Sequence, residues 1–84
     1  MILKVFTKKT DENNKSALGL AEDISKDYKV EYLDYDSKEA SQLIDIYNIY
    51  STPSFFVVSE EGILMEGWQG NLPRLSDLKN ALNR

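Results

Sequence analysis

The side chains that could do chemistry in this chain are carboxylates, amides, hydroxyls and amines; there is no cysteine and no histidine. Thiol–disulfide exchange needs a thiolate to attack a disulfide sulfur and a second thiol to resolve the product, so the chain cannot perform it with its own residues. A zinc or iron–sulfur site of the usual kind and a structural disulfide are excluded on the same ground. The densest polar stretch is Thr7-Lys8-Lys9-Thr10-Asp11-Glu12-Asn13-Asn14-Lys15. Asp11 has no His, Lys or metal partner beside it in sequence and would make a poor general base. Asp11 with Glu12, and Asp34 with Asp36, lack the ligand density and the glycine of a calcium loop, so no metal is expected. Lys4, Lys8, Lys9 and Lys15 form a local basic group, but no glycine-rich loop precedes the helix that follows. The Walker and dinucleotide patterns are missing too, and no cofactor is expected.

The 84 residues make one small domain, 1–84, whose core must carry its stability unaided by cross-links. A net charge of −4 argues against nucleic acid as a partner, because binding to phosphates draws on clustered Lys and Arg. No apolar run approaches the ~20 residues needed to span a bilayer. Met1-Ile2-Leu3-Lys4 passes directly into a strand-like segment rather than a leader, so a cytoplasmic monomer with no membrane association is expected.

The elements that must position these residues follow from periodicity. Ile2 to Phe6 reads as a buried strand. Ala17, Leu18, Leu20, Ala21, Ile24 and Tyr28 recur at helical spacing, which predicts a helix from about Asp11 to Lys26 with Asp11 as its N-cap. Glu31-Tyr32-Leu33 reads as a second strand. Asp36-Ser37-Lys38-Glu39 matches a capping box with Asp36 as N-cap, opening a helix whose apolar face is Ala40, Leu43, Ile44 and Tyr47. Ser54 to Val58 is a strong strand, Glu60-Glu61-Gly62 a turn, and Ile63 to Glu66 its hairpin partner. Asn71-Leu72-Pro73 opens a last helix, with Asn71 as N-cap and Leu72, Leu75, Leu78 and Leu82 facing inward. The order is βαβαββα, with the first two strands parallel and the last pair antiparallel.

This order, with the polar segment after the first strand, Thr52-Pro53 opening the third, and Gly67-Trp68-Gln69-Gly70-Asn71-Leu72-Pro73 after the fourth, resembles the thioredoxin/glutaredoxin superfamily over essentially the whole chain. It is most similar to the short glutaredoxin-like redoxins that reduce ribonucleotide reductase, whose Trp–x–Gly–x–x–Pro segment it matches. The resemblance implies a thioredoxin-like α/β fold of glutaredoxin size, with a four-stranded mixed sheet and three helices. Asp11 and Asn14 occupy the positions of that family's C-x-x-C cysteines. Gln69-Gly70-Asn71 does not reproduce the Gly-Gly-x-Asp segment with which glutaredoxins hold glutathione.

The resemblance also implies a cis peptide bond before Pro53, turning the backbone of Thr52 outward beside Asp11, where an extended peptide could add as a strand. Read as sequence alone, Pro53 need only start a strand. The candidate ligand-binding residues are therefore Asp11, Asn14, Thr52, Pro53 and Gly70, with no catalytic residue. Two functions follow. One is a redox-inactive module that binds a protein or peptide at the Pro53 surface. The other is a member, or a cysteine-free variant, of a glutaredoxin-type electron-donor lineage. Trp68 is expected to pack against the last helix rather than to stand free.

Overall fold

Every residue of Ser54–Val58 is buried, so this strand must lie inside the sheet with a neighbour on each side. In the computed structural model, which describes residues 1–84, the elements are β1 (Ile2–Thr7), α1 (Asn14–Ser25), β2 (Lys29–Asp34), α2 (Lys38–Tyr47), β3 (Ser54–Val58), β4 (Leu64–Gln69) and α3 (Leu75–Leu82). The sheet order is β2-β1-β3-β4. β1 and β2 are parallel, as strands joined through a crossover helix are, with Leu3 beside Val30 and Val5 beside Tyr32. β3 runs antiparallel to both β1 and β4. The α/β class and the element order expected from periodicity are those of the structure.

Alternation along the inner strands builds two cores. Leu3, Val5, Phe55 and Val57 face α1 and α3, where Ala17, Ala21, Ile24, Leu78, Ala81 and Leu82 complete one cluster, with Trp68 packed against its edge. Phe6, Phe56 and Val58 point the other way and are covered by Ala40, Tyr47 and Ile49. Phe6 meets Phe56 edge-on with ring centroids 5.8 Å apart and Tyr47 at 6.5 Å, the geometry that aromatic quadrupoles favour. A fully buried Phe stabilises by roughly 1.5–3 kcal/mol relative to leaving it exposed, so the second cluster is substantial although only one helix covers it. The Phe56 ring lies over Gly67 on the neighbouring strand: a Cβ there would stand 2.7 Å from two ring carbons.

The helix starts differ from expectation, each for a local reason. α1 begins at Asn14, not Asp11; the position before it, Asn13, makes no side-chain cap bond, and Asp11 is not a cap. Residues 8–14 instead form two successive turns, with Asp11 N donating to Lys8 O and Asn14 N to Asp11 O. α2 is capped by Ser37 rather than Asp36, its Oγ accepting from Ala40 N at 3.2 Å. Asp36 belongs to the turn before it and donates its N–H to Asp34 Oδ1. α3 starts at Leu75 rather than near Asn71, and the Asp77 carboxylate accepts from Arg74 N. Pro73 is buried in the loop ahead of the helix, and Leu72 and Leu75 are more than a third exposed, so the inward face of α3 is Leu78, Ala81 and Leu82. Leu18 likewise points outward. β2 and β4 are longer than predicted because their partners hold them: Lys29 and Asp34 pair with Ile2 and Thr7, and Gln69 pairs with Ser54.

Candidate functional site

Three loops reach one end of the sheet because of strand register. Phe6 pairs with Ser54 and Ser54 with Gln69, so the end of β1, the start of β3 and the end of β4 lie side by side. The segments 8–13, 50–53 and 70–74 leave from these positions. Asp11 and Asn14 lie in and just after the first segment, Thr52 and Pro53 in the second, and Gly70 opens the third.

The first segment is closed upon itself. The Asp11 carboxylate accepts the Lys8 N–H at 3.2 Å, an Asx-type closure across the turn that precedes α1. Beside it the Lys8 ammonium sits 4.5 Å from the centre of the Tyr35 ring, and Tyr35 N donates to Thr7 O at the end of the strand. Asp11 is half-buried and spent on its own loop rather than bonded to the Thr52 segment. Asn14 is the first helical residue rather than the third. It is half-buried, and its Oδ1 is the buried side-chain acceptor that finds no donor.

The second segment is held from both sides. The Thr52–Pro53 bond is cis, Pro53 is fully buried, and Ser51 and Thr52 are half-exposed. The Ser54 hydroxyl donates to Ser51 O. From β4, Gln69 reaches across with its whole amide: Oε1 accepts Tyr50 N at 2.9 Å and Nε2 donates to Asn48 O at 3.3 Å. Asn48 carries the left-handed backbone, φ 58°, that ends α2 and turns the chain toward this bridge. Gly70 then donates its N–H to Pro53 O at 3.0 Å. Its φ is +81°, and a Cβ would meet Ser51 Oγ at 2.9 Å, so both backbone and space demand glycine.

Of the five residues picked from sequence, Pro53 and Gly70 are joined directly and Asp11 and Asn14 through the backbone, while Thr52 completes the same end of the sheet. Gln69 was missed as a site residue. Its only sequence signal was its place in the segment that departs from the glutathione-holding pattern, one residue before Gly70. No cluster of three or more metal-ligating side chains forms anywhere in the chain. What the site presents is hydrogen-bonding backbone and amide on a rigidly braced frame.

No protein-family model and no curated protein sequence matches the chain. Among solved structures, it is similar to thioredoxin 1 from the thermophilic eubacterium Thermosipho africanus TCF52B, at a TM-score of 0.77 and 18% identity. That superposition covers 99% of this chain and 91% of the other. The fold is thioredoxin-like.

Proposed function

We propose that this domain is a thioredoxin-like binding module with no redox activity of its own, which takes an extended stretch of a protein or peptide across Asp11, Asn14, Thr52, Pro53 and Gly70. The observation that carries the reading is the bracing of residues 48–53. Gln69 and Gly70 together satisfy Asn48, Tyr50 and Pro53 from β4 and the residue after it, while Thr52 and Asp11 stay half-exposed toward solvent. A backbone held rigid in this way binds an extended chain without first having to be ordered. The reading takes the domain as a cytoplasmic monomer that needs no cofactor.

The test uses the absence of cysteine. Peptides selected from a random library against the chain should perturb the amides of residues 11–14, 50–52, 54 and 70. Thr52→Cys, alkylated with a bulky maleimide at what is then the sole thiol, should lose that binding. Selected peptides that bind equally well to the alkylated variant would overturn the proposal.

A second reading, descent from a glutaredoxin-type electron donor, is favoured by the Gly67–Pro73 segment. On that reading the frame for a thiolate is still present. The double variant Asp11→Cys/Asn14→Cys should then titrate one thiol well below the free value of ~8.5 and reduce insulin, which the parent cannot do. Two thiols titrating near the free value would reject it.

A further inference from the structure

We infer that the outer edge of β4 is a second docking surface, built to take an extended apolar segment whose C-terminal end is basic. The sheet has two edges, and they are treated differently. β2 carries Lys29, Glu31 and Asp34 along its length, charges of both signs that discourage a further strand. β4 carries Leu64 and Met65, 42% and 43% exposed, and the preceding Ile63 is 61% exposed. Its one charge, Glu66, is tied to Arg84 at 2.8 Å. β4 pairs only with β3, so its outward backbone groups have no strand partner.

The register narrows where a segment would lie. Val57 pairs with Glu66 but Val58 with Leu64, so Met65 is the extra residue of a bulge. A bulge interrupts ladder pairing locally and re-aims side chains. Main-chain pairing is thereby confined to Glu66–Gln69, while Leu64 and Met65 offer apolar side-chain contact just beyond it.

Charge selects the occupant. Glu60 and Glu61, in the turn that leads into β4, are exposed and form no ion pair, unlike Glu66. A segment antiparallel to Glu66–Gln69 brings its C-terminal end past Met65 and Leu64 to these two carboxylates. Lysine or arginine there is complementary, whereas a second copy of this chain, with net charge −4, brings like charge. The surface is separate from the one proposed above, because Gln69 and Trp68 turn their side chains to the 48–50 loop and to the core.

The probe is a short peptide alternating valine and threonine and ending in two lysines, compared with the same peptide ending in two glutamates. The lysine form should bind about tenfold more tightly at low salt, shift the amides of residues 63–69, and lose its advantage as salt is raised. Glu60→Gln/Glu61→Gln, exposed turn changes that leave the core alone, should abolish the preference between the two peptides. Met65→Lys should weaken both. Equal binding of the two peptides, or shifts confined to residues 11–14 and 50–54, would overturn the inference. So would sedimentation showing that the chain self-associates through β4.

Discussion

The Asp11 carboxylate accepts the Lys8 N–H at 3.2 Å across the turn that precedes α1. The residue stands at the end of β1 beside the start of α1, as its position in the sequence implied, but its carboxylate closes the 8–11 turn instead of capping the helix. Asp11→Ala should therefore lower stability by about 0.5–1.5 kcal/mol, the net worth of one partly buried hydrogen bond, with Asp11→Asn near the parent because it keeps the acceptor. Urea midpoints for the two variants check this. An equal loss in both would mean that charge, not the bond, matters. Gln69 is the opposite case, a residue whose spacing announced nothing and whose amide bridges α2's end to the Pro53 segment. Gln69→Ala should cost roughly 1–3 kcal/mol, two bonds being lost together, and should speed amide exchange at Tyr50 selectively. Gln69→Glu keeps only the Tyr50 bond and should fall between. Uniform exchange across the chain in Gln69→Ala would show that the bridge stabilises the whole fold and not the loop.

Among elements, the contact between β3 and β4 is the most exacting. Gly67 leaves room for the Phe56 ring on the neighbouring strand, where even a methyl group would stand 2.7 Å from two ring carbons. Gly67→Ala should destabilise by about 1–3 kcal/mol through overpacking, despite the higher strand propensity of alanine. Adding Phe56→Leu should recover part of that loss. Thermal melts of the four members of the double-mutant cycle give the coupling, and strict additivity would show that the ring and the glycine do not compete for the same space. The helices are less demanding. The caps of α1 and α2 lie at Asn13 and Ser37 rather than Asp11 and Asp36 because Ser, Asp and Asn can close turns as readily as they cap helices, and Thr10 to Asn14 and Asp34 to Ser37 are rich in such residues.

For the molecule as a whole, stability rests on two apolar clusters divided by one sheet, and one titratable group is built into the second. Burial pushes the Tyr47 phenol above its ordinary value of 10.0, and the nearby Glu31 carboxylate adds to the shift. A raised folded-state value means that the neutral phenol is the form the fold favours. Its contribution is full below 10.0 and is lost as pH rises from there through the folded-state value, because the unfolded chain ionises first. Denaturant midpoints should therefore drop more steeply above that pH in the parent than in Tyr47→Phe, and Glu31→Gln should make the drop shallower. Parallel curves for parent and Tyr47→Phe would place the alkaline loss elsewhere.

The sequence by itself determined the number, type and order of the elements, because buried faces leave a period in the chain: near two for Val5 and Phe55–Val57 against their opposite-facing neighbours, and near 3.6 for Ala17, Ala21 and Ile24. It also determined that no thiol chemistry is available, since that depends on composition alone. Only the tertiary structure decided the antiparallel seating of β3 on β1, the outward turn of Leu72 and Leu75, and the role of Gln69. The seating of β3 and the role of Gln69 are contacts between residues distant in the chain. Gln69 bonds Tyr50, and Gly67 yields to Phe56, and no local spacing encodes which of many amides or glycines will stand opposite a given partner once the strands are in register.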